Sequence, residues 1–389
     1  MTMHDDLLPV GLATSRLKNW LIREALPFWS SVGFDDLGCC FQERTDLAGC
    51  PLLEVPRRTL VQFRQIYAFS HSCLNGWFPE GRAVAIQAAL TACEKNWCPD
   101  GKPGWIFSLD HKGAVVESRR DAYSHAFAAY GLAWAYRLSA VPRFQELADA
   151  TFDLFDTLLA APDFGGIIDG APRPDELRRQ NPHMHMFEAC LAWHEATGDA
   201  RYLARAGEIF GLFTTRFFQP YDGALGEYFD DRWNAAVGKK GMICEPGHHF
   251  EWIWLLHKFS RASGRNVSRY TNALFEHAVR YGIGANGLIV DELLRNGVVY
   301  GDGVRCWPHT EAIKAAVAEH EMGRANMPAL ASAMISKLMV NFLQRPFAAG
   351  WLDHYHANGL PKVSFAPAST LYHVFLAAAE SDRVFGEKL

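Results

Sequence analysis

No stretch of this 389-residue chain stays apolar for the roughly twenty residues a membrane-crossing helix needs, so no helical span is expected. Positive charge is not in excess: 38 Lys and Arg stand against 43 Asp and Glu, a formal net charge of −5. That balance lacks the basic footprint of a nucleic-acid binder, and no nucleic-acid partner is expected. The nine cysteines are odd in number and scattered; Cys39/Cys40 are adjacent, and Cys93/Cys98 are the only other close pair. None has zinc-ligand pairing, so neither a structural metal nor a disulfide frame is implied, and the expectation is of reduced, mostly buried thiols in a cytoplasmic protein. The segment Met1 to Pro9, with Asp5 and Asp6, lacks the basic start and apolar run of a signal peptide. There is no P-loop or other nucleotide fingerprint, and no cofactor is expected. Low-complexity tracts and dividing linkers are missing too, which argues for one unit over residues 1–389.

What is present is helical periodicity. From Asp121 to Leu138, Tyr123, Phe127, Tyr130, Trp134 and Leu138 fall at steps of three and four among alanines. Similar runs cover Leu12 to Trp29, Arg57 to Ser70, Arg82 to Trp97, Phe144 to Leu159, Pro182 to Thr197 and Tyr202 to Phe217. They continue through Glu251 to Ala262, Tyr270 to Tyr281, Glu311 to Met322, Ala329 to Phe342 and Ser369 to Ala379. Thr197-Gly198-Asp199, Ser263-Gly264-Arg265 and Pro99-Asp100-Gly101 read as stops or turns. Pro182, Pro246 and Pro308 sit at the first helical positions, where proline is already set to the required φ, and Pro367 is a looser fourth. One β-like insert is expected around Gly223 to Val237, where aromatic and polar residues alternate.

A polar, chemistry-capable residue opens a helix about every sixty residues, the length of a two-helix hairpin with its connections. It falls on Arg64, Tyr123, His185, His248, the His309/Glu311 pair and His373. Six hairpins closed into a ring would bring these residues to one end of one cavity, which is the case for an enzyme. On helices, Asn181 shares a face with His185, and His248 with Glu251; a carboxylate one turn from an imidazole can orient it for proton transfer. Three other readings stand beside this one. Clustered His and Glu can bind zinc, but His-Glu-x-x-His is absent and His183/His185 point to different helix faces. Paired carboxylates for glycoside hydrolysis would use Glu251, Glu311 and Asp353, yet the repeat is richer in His than in acids. A barrel that only binds sugar would not need two proton-transfer histidines.

The stretch Gly104 to Ala133, the run NPHMHMFEA from Asn181, EPGHHFEWIWLL from Glu245, WPHTEA from Trp307, GWLDHY from Gly350 and LYH from Leu371 together resemble the N-acylglucosamine 2-epimerase superfamily. Its members include mannose isomerases and cellobiose 2-epimerases. The resemblance runs from about Trp20 to Leu376. It implies an all-α (α/α)6 barrel with short β inserts and a central site. His248 and His373 would be the acid/base pair, and Arg64, Tyr123, Asn181, His185, Glu251, Trp307 and Glu311 the substrate-binding residues, with no metal. It also implies a monosaccharide or disaccharide substrate and allows a homodimer through outer helices. His185 resembles the mannose isomerase and cellobiose epimerase branch. The chain departs from the family pattern at His309, where a glutamine or similar residue is expected, and at His249, an extra imidazole. The expected reaction is aldose–ketose isomerisation of a mannose-like sugar through a cis-enediol, with 2-epimerisation as the alternative.

Overall fold

The computed structural model describes residues 7–386; the N-terminal segment with Asp5 and Asp6 lies outside the described residues. Helix α1 (Val10–Trp20) continues through a wider π turn at Leu21–Ala25 into α2 (Leu26–Ser31). Hairpins follow: α3 (Thr59–Leu74) with α4 (Arg82–Lys95), α5 (Ala122–Ser139) with α6 (Pro142–Asp156), and α7 (Asn181–Thr197) with α8 (Ala200–Leu212). Then come α9 (Pro246–Ser263) with α10 (Ser268–His277), α11 (Trp307–Glu321) with α12 (Met327–Asn341), and α13 (Thr370–Phe385). Every expected helical run lies largely on one of these helices.

The inner helices α3, α5, α7, α9, α11 and α13 touch in that order, and α13 returns to α3, so the helices form a closed barrel. The outer partner of α13 is α1, the first helix of the chain. Thr14 Oγ1 meets Ser381 Oγ at 2.6 Å and Lys18 pairs with Asp382 at 2.8 Å across that seam. Inner helices such as α3 and α9 are buried on nearly every side, whereas α8 and α10 bury one stripe, as expected of core and surface helices.

The stop signals work as their chemistry requires. Gly198 and Gly264 take the left-handed conformation that ends α7 and α9, with φ of 72° and 73°. The Asp199 carboxylate then accepts from Arg201 N at 2.8 Å to start α8. Pro182, Pro246 and Pro308 sit in the first turns of α7, α9 and α11. Pro367 does not open a helix. It closes the strand Phe365–Pro367, opposite Arg44, and α13 begins only at Thr370. The thiols also differ from expectation: all nine are free, but only Cys93, Cys190, Cys244 and Cys306 are buried.

The β structure is wider than one insert. The Gly223 to Val237 stretch does contain the strands Ala224–Leu225 and Tyr228–Phe229. It is one part of a collar in which the short strand leading into each inner helix pairs antiparallel with a strand of a neighbouring repeat. Arg57–Arg58 pairs with Ser108–Leu109, Arg120–Asp121 with Gly170–Ala171, and Arg178–Arg179 with Tyr228–Phe229. Ile243–Cys244 pairs with Leu293–Leu294, Gly303–Arg305 with His354–His356, and Phe365–Pro367 with Arg44–Asp46, which closes the circle.

A side chain in the first turns of five inner helices clamps this collar. In α5, α7, α9 and α11 it is a histidine: His125, His183, His249 and His309. Each Nε2 accepts a backbone N–H, from Trp105 (3.1 Å), Ile167 (3.0 Å), Leu225 (3.1 Å) and Ile289 (3.0 Å) respectively. Each Nδ1 faces the carbonyl four residues earlier, at 2.8, 3.0, 2.9 and 3.0 Å. An amide can only donate and a carbonyl can only accept, so these rings are neutral with hydrogen on Nδ1. Burial pushes all four below the ordinary imidazole range, to about 4, 3, 3 and 4. Gln62 does the same work in α3, accepting from Phe41 N and donating to Phe41 O, both at 2.8 Å. Gly166, beside Ile167, has φ of +76°, and a Cβ there would stand 2.7 Å from His183 Nε2.

Candidate active site

Two residues beyond each clamp the helix turns a side chain toward the barrel axis: Arg64, Phe127, His185, Glu251 and Glu311. His373 holds the equivalent place in α13, where the clamp position is Leu371. The sixty-residue repeat therefore mixes registers: Arg64, His185, Glu311 and His373 lie two residues after the clamp position, His309 on it, and His248 and Tyr123 one and two residues before it. His309 is a structural clamp and does not line the cavity, Glu311 stands at the site, and His249 is likewise a clamp, with both ring nitrogens held by backbone groups.

The cavity at this end has a volume of about 240 Å3 and is lined by Arg64, Tyr123, Asn181, His185, Glu245, His248, Glu251, Arg305, Trp307, Asp353, Ser369, Thr370 and His373. Eight of the nine expected site residues line it. Glu311 stands behind, with its Oε1 2.8 Å from Nδ1 of His373. The expected intrahelical pairs are replaced by others. Nδ1 of His248 meets Glu227 Oε1 at 3.0 Å, not Glu251, because the chain entering the collar strand Tyr228–Phe229 brings that carboxyl over the first turn of α9. His185 Nδ1 meets Glu188 Oε2 at 3.1 Å, not Asn181, and Tyr372 OH donates to the same carboxylate at 2.7 Å.

His248 and His373 both lie against the indole of Trp307, with ring centroids 5.0 and 5.7 Å away. Their surroundings differ in sign. Burial works against a charge on His248, but Glu227, Glu245 and Glu251 outweigh it and raise the ring to about 10. Burial, together with Arg64, Lys314, His185 and His248, holds His373 well below the ordinary imidazole range. At neutral pH the first imidazole carries a proton to give and the second has a lone pair to take one.

Arg64 Nη2 donates to Tyr123 OH at 2.6 Å, and its guanidinium lies 4.1 Å from the Phe127 ring centroid. Its Nε, Asn181 Oδ1 and Glu251 Oε1 are buried with no hydrogen-bond partner among the described residues. Orphaned buried polar atoms are rare in folded proteins, and here they line a cavity, as ligand-binding groups do.

Three acid–imidazole groups bring ligand atoms within 4.8 Å of one another: Glu227/Glu245/His248, His185/Glu188/Glu251 and Glu251/Glu311/His373. Their donor sets fit a cation poorly. The first carries its charge on the His248 ring, the Glu188 oxygens of the second are taken by His185 and Tyr372, and the third holds the Lys314 ammonium 2.5 Å from Glu311. Paired-acid hydrolysis fares no better, since Glu311 stays behind His373 and Asp353 accepts from Thr370 Oγ1 at 2.6 Å.

Sequence reasoning missed Glu188, Glu227, Glu245, Arg305, Lys314, Ser369 and Thr370, and weighed Asp353 only as a hydrolytic acid. Glu188 and Glu245 lie inside the motifs already singled out, and Lys314 is a lone charge in the apolar run of α11. Glu227 carries no such signal; only the folded collar places it.

The family model described as N-acylglucosamine 2-epimerase matches residues 40–377. A protein of Rhizobium meliloti (strain 1021) named mannose-6-phosphate isomerase is 35% identical over 385 residues, covering 96% of this chain and 97% of its own. The structure of cellobiose 2-epimerase from Spirochaeta thermophila DSM 6192 superposes with a TM-score of 0.86 at 20% identity, covering 97% of each chain. A D-mannose isomerase structure gives 0.85 at 19% identity, covering 95% of this chain and 98% of that one. With that match across most of its length, this chain belongs to the N-acylglucosamine 2-epimerase family and is an isomerase or epimerase of that family.

Proposed function

We propose that the protein is an aldose–ketose isomerase acting on D-mannose or a close analogue in the cytoplasm, with one (α/α)6 barrel as its catalytic domain. The observation that carries this reading is the pair of imidazoles of opposite protonation on one indole, each tied through Nδ1 to its own carboxylate. The orphaned Arg64 Nε, Asn181 Oδ1 and Glu251 Oε1 bind sugar hydroxyls, and Trp307 covers an apolar sugar face.

After ring opening, Nε2 of His373 takes the C2 proton of the open-chain aldose. The C–H electron pair becomes the C1=C2 bond, and the carbonyl oxygen at C1 accepts the proton held by His248, giving the cis-enediol. Arg64 stabilises charge building on oxygen. His248, now neutral, takes the C2 hydroxyl proton as the C2 carbonyl forms, while His373 returns its proton to C1, so the ketose results and both rings regain their starting protonation. If the C1 oxygen instead stays an oxyanion beside Arg64, His248 keeps its proton and delivers it to the opposite face of C2 as the C1 carbonyl re-forms, giving the 2-epimer, so the position of the intermediate between the rings selects the product.

The cationic groups of the cavity already have partners, Arg305 with Asp291 at 3.1 Å, Arg64 Nη2 with Tyr123 and His248 with Glu227, which supports a neutral sugar over a phosphorylated one. The test is product analysis after incubation with D-mannose, D-mannose 6-phosphate, N-acetylmannosamine and cellobiose. Fructose from mannose is expected; fructose 6-phosphate alone would reassign the substrate, and C2 epimers alone would reassign the reaction.

A further inference from the structure

Beneath His373 lies a charged group that the reaction as drawn does not use. Lys314 on α11 is fully buried, with its Nζ 2.5 Å from Glu311 Oε2, 3.9 Å from Glu251 Oε1 and 4.4 Å from the Trp254 ring centroid. Glu311 reaches His373 through its other oxygen, so His373, Glu311 and Lys314 form one line running from the cavity into the floor of the barrel. A buried ammonium is costly to keep, and lysine is rarely fully buried unless paired.

We propose that Lys314 is a positioning residue for proton transfer: its ammonium, sealed in the cavity floor, holds the Glu311 carboxylate in the charged state that accepts from Nδ1 of His373. Nε2 then faces the substrate as a bare lone pair. The inference rests on the reading of His373 as the base.

The groups facing this line are few. Arg64 approaches from α3, His185 and Glu188 from α7, His248 and Glu251 from α9, and Tyr372 is the neighbour of His373 on α13. Burial, then the Glu251 carboxyl, raise the Glu311 carboxyl even with the ammonium beside it, and Lys314 is the largest of the influences that draw it down. Without that ammonium, Glu311 takes up a proton and offers it to Nδ1. The imidazole hydrogen then moves to Nε2, and the base is lost. Raising the pH removes the proton from Glu311 and restores the productive tautomer. The loss caused by removing Lys314 must therefore be largest at low pH and shrink as pH rises, which a merely structural lysine would not produce.

The experiment compares kcat and KM across pH for the wild type, Lys314→Met and Lys314→Gln, with folding checked by circular dichroism. The expected result for the folded variants is a kcat at neutral pH lower by about tenfold or more, with KM changed by less than about threefold. Their acidic limb should move up by about one pH unit or more. A folded variant with an unmoved limb, or with the same fractional loss at every pH, would overturn the proposal. Should neither variant fold, ring 15N shifts of His373 in the wild type decide: hydrogen on Nδ1 of a neutral ring is expected, and an Nε2–H tautomer overturns it. That measurement needs no turnover, so an error in the assigned reaction and an error about Lys314 would be told apart.

Discussion

Nδ1 of His248 lies 3.0 Å from the Oε1 of Glu227, a carboxyl 21 residues earlier in the chain, just before the collar strand Tyr228–Phe229. This contact, with Glu245 Oε2 at 3.9 Å, makes His248 the acidic imidazole of the site. Replacing Glu227 by Gln removes the largest of the forces that raise the ring. The folded-state value then falls from about 10 toward the ordinary range, and the proton is lost at lower pH. Glu227→Gln should keep most of its activity near pH 6 and lose about tenfold or more near pH 9, so that the alkaline limb moves down. An alkaline limb left in place would remove Glu227 from this role.

The wild-type profile follows from the same two rings. His373 must be neutral and is held well below the ordinary imidazole range, while His248 must be protonated and is raised to about 10. The plot of kcat/KM against pH should be a broad plateau that falls on the acid side only well below 6.5 and on the alkaline side near 10. A narrow bell centred on neutrality would mean that the two environments are not the ones that govern the reaction.

Arg64 joins binding to charge stabilisation, because its Nη2 is fixed by Tyr123 while its Nε is unpartnered. Arg64→Ala should raise KM and lower kcat together, with kcat/KM down by about 10²-fold or more. Arg64→Lys should rescue little, since an ammonium cannot hold Tyr123 and a substrate oxygen with one planar fork. Full activity in either variant would exclude the arginine from the site.

The clamp histidines predict a stability effect separated from chemistry. His309→Leu leaves the buried Ile289 N–H without an acceptor and should cost about 1–3 kcal/mol, while kcat well below the melting transition changes by less than about threefold. His309→Gln should be milder, because Gln62 performs this bridging in α3. Thermal melts of both variants beside steady-state rates check this, and a large fall in kcat for His309→Leu at unchanged Tm would contradict it.

How much was legible depends on the range of the interaction. Helix periodicity is local, so the runs on α7 and α9 could be read directly, and the glycines at 198 and 264 marked their ends. The collar could not be read, because strands of two or three residues such as Arg178–Arg179 leave no alternation to detect, and each partner lies tens of residues away. The same gap explains the site errors. His248 with Glu251 is a correct face assignment for a helix, but the contact that matters to Nδ1 comes from Glu227 through the collar. His249 and His309 looked like chemistry in sequence because a buried histidine bridging two backbone groups has the same letter as one that moves a proton. Only the amide and carbonyl at either end of the ring tell them apart.

The central claim is that His373 removes the C2 proton. Proton NMR of D-mannose in D2O with the wild type and with His373→Ala, side by side, tests it most directly. With the wild type, the mannose C2–H signal should fall and fructose should grow, carrying deuterium at C1 wherever the proton on His373 exchanges with solvent before its return, and neither change should occur with His373→Ala. Exchange at the wild-type rate in His373→Ala would contradict it and transfer the base to another group in the cavity.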